Sequence, residues 1–235
     1  MHSPLQAVLF DLDGTLIDTA PDLAAALNAV RVGHGREPLS FEQIRPQVSH
    51  GATALTRLGF ADLAEDSEAF ASRREQLLEN YAAAVAVHSR LFPGFLQLFD
   101  FIDNIGIVWG IVTNKPAYLT LPLLNALGLN QRAGCIVSGD TTAERKPHPL
   151  PLLHACESMA ADPRACVYVG DAQRDIEAGW RAGMQTLVAL FGYLSPQDRP
   201  ETWGADGLVR DAAEIVDWLA ARAARPSLDI ANEYG

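Results

Sequence analysis

Apolar residues along this chain follow two different periods. Ala7-Val8-Leu9-Phe10 is an unbroken apolar run, the pattern of a strand buried on both faces of a parallel sheet. From residue 18 the spacing becomes helical. Leu23, Leu27 and Val30 fall at i, i+4 and i+7 and predict a helix over 18–33, with Asp18 or Thr19 as cap, Pro21 in its first turn and Gly33 and Gly35 as its stop. Two short helices are expected over 41–48 and 52–58, broken at Ser49-His50-Gly51. A longer one is expected over 67–86, where Phe70, Leu77, Leu78, Tyr81 and Val85 make the apolar stripe behind Ser67. This stretch of about seventy residues contains no predicted strand. After Phe92-Pro93-Gly94 the pattern alternates: helix 94–104, strand 107–112, a helix opened by Pro122 and ended at Gly128, strand 135–138, helix 150–160, strand 166–169, helix 173–183, strand 186–190, and a final helix to about 223 behind a capping box of Asp211 and Glu214. Strands alternating with helices predict an α/β protein with a doubly wound parallel sheet. The expected division is a core of 1–15 and 89–223, a helical cap domain at 16–88 above the carboxyl end of the sheet, and a flexible tail at 224–235.

Composition narrows the partners. A chain of 235 residues, 49% of them hydrophobic, can bury a sizeable core, and a net charge of −11 disfavours nucleic acid or an anionic membrane. No apolar run approaches the roughly 20 residues of a membrane span, and residues 1–10 lack a basic leader. The expectation is a cytoplasmic protein, monomer or homodimer. Cys135, Cys156 and Cys166 are odd in number and lack C-x-x-C spacing, so reduced core thiols are expected. The six histidines show no zinc-binding spacing.

The chemistry collects where predicted strands end. Asp11 and Asp13 follow the first strand, and Gly14 allows a sharp turn beside a ligand. Thr113-Asn114-Lys115-Pro116 follows the strand at 107–112, Arg145-Lys146-Pro147 comes after Gly139-Asp140, and Gly170-Asp171 ends the strand at 166–169 with Asp175 four residues on. Singly, each has a plain structural use: a helix cap, a solvated lysine, a charge in a first helical turn. In a parallel sheet they converge on one crevice. Together they suit phosphoryl transfer, which is mostly positioning and electrostatics. A magnesium ion could be held by Asp11, Asp171 and the backbone of Asp13 with Asp175 behind. Lys146 would balance the anionic charge, Thr113 and the amide of Asn114 would donate to phosphate oxygens, and Asp13 would serve as acid and base.

These residues resemble the haloacid dehalogenase superfamily of phosphatases. Its four motifs occur in order over nearly all of residues 5–220, as Asp11-x-Asp13-Gly14-Thr15, Thr113, Lys146-Pro147 and Gly170-Asp171-x-x-x-Asp175. The resemblance implies Asp11 as nucleophile forming an aspartyl-phosphate, Asp13 as acid/base, Thr113 and Lys146 on the phosphate, Gly14 and Asn114 at the substrate, and Asp11, Asp13, Asp171 and Asp175 about magnesium. The insert resembles the cap of the phosphoglycolate phosphatase-like group. The loop Ser49-His50-Gly51, with Arg45 nearby, is the expected specificity element, although His50 stands where that group would have glycine. Ser89-Arg90-Leu91-Phe92, Val108-Trp109-Gly110 and Trp203-Gly204-Ala205-Asp206 look more like the branch acting on N-acetylmuramic acid 6-phosphate in cell-wall recycling. The expected substrate is therefore a small phosphorylated sugar acid, with 2-phosphoglycolate as the alternative. A phosphomutase remains open from sequence, and so does a non-catalytic phosphate-binding module, which would have lost one of these groups.

Overall fold

The computed structural model describes residues 4–223; the expected tail at 224–235 lies outside them. The first strand, β1 (Ala7–Phe10), runs through the middle of the sheet and is fully buried. Val8 and Phe10 enter one core cluster, and Ala7 and Leu9 enter the opposite one. That two-sided burial explains the unbroken apolar run. On the first face Phe10 meets Phe95, Phe99 and Trp109 edge-on, and Phe99 stacks on Trp109 at 4.2 Å.

A two-residue strand, β2 (Ile17–Asp18), follows, and then the helical insert: α1 (Ala20–Gly33), α2 (Phe41–Ile44), a 3-10 turn (Arg45–His50), α3 (Gly51–Gly59) and α4 (Glu68–Ala83). The Ser67 hydroxyl accepts the Phe70 amide and caps α4. Leu23, Leu27, Ile44, Leu55, Phe60, Leu77 and Tyr81 form a buried cluster in the insert, which Leu119 and Tyr193 from outside the insert join. The return strand β3 (Arg90–Leu91) pairs antiparallel with β2, Ile17 opposite Leu91. This pair is absent from the sequence expectation, because two residues are too few to show a period. Asp22 ties the two crossings together. It is buried and accepts the His88 and Ser89 amides (2.8 and 2.9 Å) and the Ser89 hydroxyl (2.6 Å).

The chain then continues as α5 (Phe95–Asn104), β4 (Val108–Val112), α6 (Ala117–Ala126), β5 (Cys135–Val137), α7 (Leu150–Ser158), β6 (Cys166–Gly170), α8 (Gln173–Arg181), β7 (Gln185–Ala189), β8 (Gly207–Val209) and α9 (Ala212–Ala223). All six main strands are parallel, in the order β5-β4-β1-β6-β7-β8. Two expectations are corrected. Pro122 lies inside α6 rather than opening it. The helix already starts behind Pro116, and Tyr118, whose carbonyl loses its partner at Pro122, is exposed and can be hydrated there. The edge strand β8 was not foreseen; it spans three residues and is positioned by Asp206, whose carboxylate accepts the Thr186 amide at 2.8 Å. The three cysteines are free thiols, with Cys156 and Cys166 buried.

Candidate active site

The chain winds from β1 through β4 to β5 on one side, then from β6 through β7 to β8 on the other. The switch between the two directions lies between β1 and β6, where open α/β sheets form their binding crevice. Asp11 follows β1, Thr113 follows β4, Asp171 follows β6, and Lys146 rides the loop between β5 and α7. All four are buried, as is Asp175 in the first turn of α8.

Lys146 holds this group together. Its Nζ lies 2.8 Å from Asp11 Oδ1 and 2.8 Å from Asp175 Oδ1. It also donates to the Val112 carbonyl (2.9 Å) and to the Tyr168 hydroxyl (2.6 Å), which in turn donates to the same carbonyl. Asn114 fixes the lysine's backbone: its Nδ2 donates to Lys146 O (2.9 Å) and its Oδ1 accepts Lys146 N (3.0 Å). The Asn114 side chain is therefore spent on the loop, which leaves only its main chain for a ligand. The Lys146–Pro147 bond is cis.

Asp11, Asp171 and Asp175 bring carboxylate oxygens within 4.8 Å of one another. Burial, and then the charges of Asp11 and Asp175, push the Asp171 carboxyl up to about 7. Burial also raises Asp11, with Lys146 pulling the other way. Asp171 Oδ2 accepts the Ser49 hydroxyl (2.7 Å) and the Tyr193 amide (2.8 Å), while its Oδ1 is buried without a partner. Hard oxygen donors, surplus negative charge and an unpaired buried carboxylate oxygen fit a divalent cation such as magnesium. In the unfolded chain Asp171 ionises near its ordinary value of 3.8, whereas folded it keeps its proton until about 7. Without cation, stability should therefore decline as pH rises between those values and level off above. Thermal melts across that range check this; a cation-free protein that grows more stable from pH 5 to pH 7 would contradict it.

Asp13 turns away from the cluster. Its Oδ1 takes Lys115 Nζ at 2.9 Å and the Thr19 hydroxyl at 2.5 Å. With the carboxylate engaged there, the Asp13 main chain is the part of this residue left for a cation, as expected from the sequence. Gly14 departs from expectation, since it does not line the cavity. Its φ is +85°, and a Cβ there would overlap the Asp171 carboxylate and approach the Tyr193 ring at 2.8 Å. Gly14→Ala should cost about 1–3 kcal/mol from backbone strain alone, seen as a lowered unfolding midpoint in denaturant.

Above these groups lies a cavity of about 610 Å³, bordered by the core residues Asp11, Asp13, Thr113 and Asn114 and by the insert's Ser49, His50 and Gly51. Thr113 Oγ1 accepts the Lys115 amide (3.1 Å). Ser49 joins the insert to the core twice, through its hydroxyl on Asp171 and its carbonyl, which accepts Arg174 Nη2 at 2.7 Å. Burial and the nearby Arg174 lower the His50 pKa, opposed by Asp198. Arg45 does not line the cavity but grips the core, donating to Gly192 O (2.9 Å) and Phe191 O (3.0 Å) with its guanidinium 4.9 Å over the Tyr193 ring. Tyr193 reaches the insert's first crossing: its hydroxyl accepts Thr19 N (2.6 Å) and donates to Asp18 Oδ1 (2.7 Å). Sequence reasoning assigned no role to Lys115, Arg174, Asp22 or Tyr193. Lys115 and Arg174 adjoin motif residues and could have been flagged on that ground; Asp22 and Tyr193 carry no such signal.

Residues 8–189 match the model of the haloacid dehalogenase-like hydrolases, and the chain belongs to that family. Within it the chain is a phosphatase of the phosphoglycolate phosphatase-like group, which sets aside the non-catalytic reading. It is 46% identical over 204 residues to the phosphoglycolate phosphatase of Xylella fastidiosa, covering 87% of this chain and 88% of that one. It is 41% identical over 215 residues to the N-acetylmuramic acid 6-phosphate phosphatase of Pseudomonas aeruginosa, covering 92% and 95%. A crystal structure of a predicted phosphoglycolate phosphatase from Haemophilus somnus superposes with a TM-score of 0.81 at 26% identity, covering 92% of this chain and 98% of that one. No helix among the described residues is long and apolar enough to cross a membrane.

Proposed function

We propose that the chain is a magnesium-dependent phosphomonoesterase working through Asp11, with N-acetylmuramic acid 6-phosphate as its substrate and cell-wall recycling as its setting. The observation that carries the chemistry is the Asp11 carboxylate, held 2.8 Å from Lys146 at the floor of the cavity. Asp11, Asp171 and the Asp13 backbone would hold the cation, with Asp175 supporting. Bound there, magnesium supplies charge that offsets the phosphate oxygens and keeps Asp11 ionised. Asp11 attacks phosphorus and becomes the aspartyl-phosphate. Asp13, steadied by Lys115 and Thr19, protonates the leaving alkoxide and then deprotonates the water that frees phosphate. Thr113 would donate to a phosphoryl oxygen, and Lys146 would add its positive charge beside Asp11. The insert at 16–88 acts as the cap on a core of 1–15 and 89–223, excluding water from the site.

The substrate choice rests on size. A cavity of about 610 Å³ is within the range that surrounds a drug-sized ligand, far more than a two-carbon acid fills. The 46% identity to a protein named phosphoglycolate phosphatase keeps 2-phosphoglycolate as the second reading. Phosphate release from the two esters, side by side with magnesium, tests this. A preference of about 100-fold or more in kcat/KM, or about 2.7 kcal/mol, is expected for the muramic ester; the reverse preference would reassign the enzyme to phosphoglycolate.

A further inference from the structure

We infer that Arg74 anchors a second anionic group of the substrate, a carboxylate carried far from the phosphorus atom. The inference deepens the phosphatase reading above and rests on it. Arg74, Leu78 and Tyr81 fall at i, i+4 and i+7 on α4 and all border the cavity, so one stripe of this helix forms its wall. Tyr81 marks the reacting end: Lys115 Nζ lies 4.5 Å over its ring and 2.9 Å from Asp13. Seven residues of helix place Arg74 about 10 Å further along the axis.

Four cations border the cavity, and three are engaged. Lys115 is paired with Asp13, Arg174 donates to Ser49 O, and Arg145 donates through Nε to Gly139 O. The Arg74 side chain is exposed and makes no hydrogen bond or ion pair among the described residues. A guanidinium at a cavity rim with its donors free is matched to a planar carboxylate, which it can take in a two-pronged contact. The partly buried Leu78 separates it from the reacting end, which suits the less polar face of a ring.

The spacing acts as a ruler. In 2-phosphoglycolate the carboxyl carbon is three single bonds of about 1.5 Å each from phosphorus, a reach below about 5 Å. A carboxylate that close to phosphorus stays near the Tyr81 end of the α4 wall. An acid attached across a sugar ring from the phosphate, as in N-acetylmuramic acid 6-phosphate, is carried toward Arg74.

The test compares kcat/KM for N-acetylmuramic acid 6-phosphate and N-acetylglucosamine 6-phosphate, which share ring and phosphate and differ in the carboxylate-bearing ether. The wild-type protein should prefer the muramic ester by about 30-fold or more, or about 2 kcal/mol. Arg74→Ala should shrink that preference to within about threefold, and Arg74→Lys, which keeps the charge without the fork, should fall between. A wild-type preference that survives in Arg74→Ala overturns the anchor and leaves the substrate reading standing. A wild-type protein that cleaves an aryl phosphate but neither sugar ester overturns the substrate reading, and the anchor with it.

Discussion

Asp11→Asn is expected to lower kcat by about 10⁴-fold or more, the scale on which loss of a catalytic nucleophile is felt, while the protein stays folded. The amide keeps the shape of the carboxylate but offers no anionic oxygen to phosphorus. Its effect on stability should be small, because two changes oppose each other. Burial disfavours the Asp11 charge, so a neutral side chain relieves a cost. Against that, Lys146 loses one of its two carboxylates and keeps Asp175 at 2.8 Å. Phosphate release and a thermal melt on the same preparation separate the outcomes. Residual turnover above about one per cent, a loss of less than about 2.7 kcal/mol, would move the nucleophile elsewhere.

Lys146→Ala should act on both activity and fold. Lys146 is buried, and its side chain touches Asp11, Asp175, the Val112 carbonyl and the Tyr168 hydroxyl. Removing it takes the contacting counter-charge from the buried Asp11 and Asp175 and leaves them only the nearby Arg174, which costs about 3–5 kcal/mol. For a chain of this size each kcal/mol is worth about 2–4 °C, so the melting temperature should fall by at least 6 °C, on the order of the lower bounds combined. Added magnesium should recover part of the loss, because a cation bound by the folded state alone stabilises it. Turnover should fall by about 10²–10³-fold from the lost charge on the phosphoryl group. An unchanged melting temperature would show that the carboxylates share a proton rather than depend on this ammonium.

The fold was legible where the chain obeys a period. Ala7–Phe10 announces a doubly buried strand, and the clusters on its two faces bear that out. The insert's helices are visible in Leu23, Leu27 and Val30 and in Phe70, Leu77 and Tyr81, all of them buried. What escaped is short or set by tertiary contact. The β2–β3 pair is two residues long on each side, and β8 is three. Pro122 reads as a helix start because proline is common there, but Pro116 begins α6 first. At the site, residue types and strand ends were enough to bring Asp11, Thr113, Lys146 and Asp171 to one crevice. Sequence could not tell which way a side chain turns. Asp13 faces Lys115 and Thr19 instead of the carboxylate cluster, the Asn114 side chain is bound to the Lys146 backbone, and Gly14 makes room for Asp171. Nor could it foresee contacts across long separations, such as Ser49 on Asp171 or Arg45 on Gly192.

In the proposed mechanism Asp11 carries the phosphoryl group between substrate and water. The most direct measurement quenches the protein in acid during turnover with magnesium and maps phosphoryl modification by peptide mass spectrometry. A phosphoryl group is expected on the peptide bearing Asp11, absent from Asp11→Asn and lost on treatment with hydroxylamine. Burst release of the alcohol with no phosphoryl group on that peptide, or with one on another residue, would contradict it.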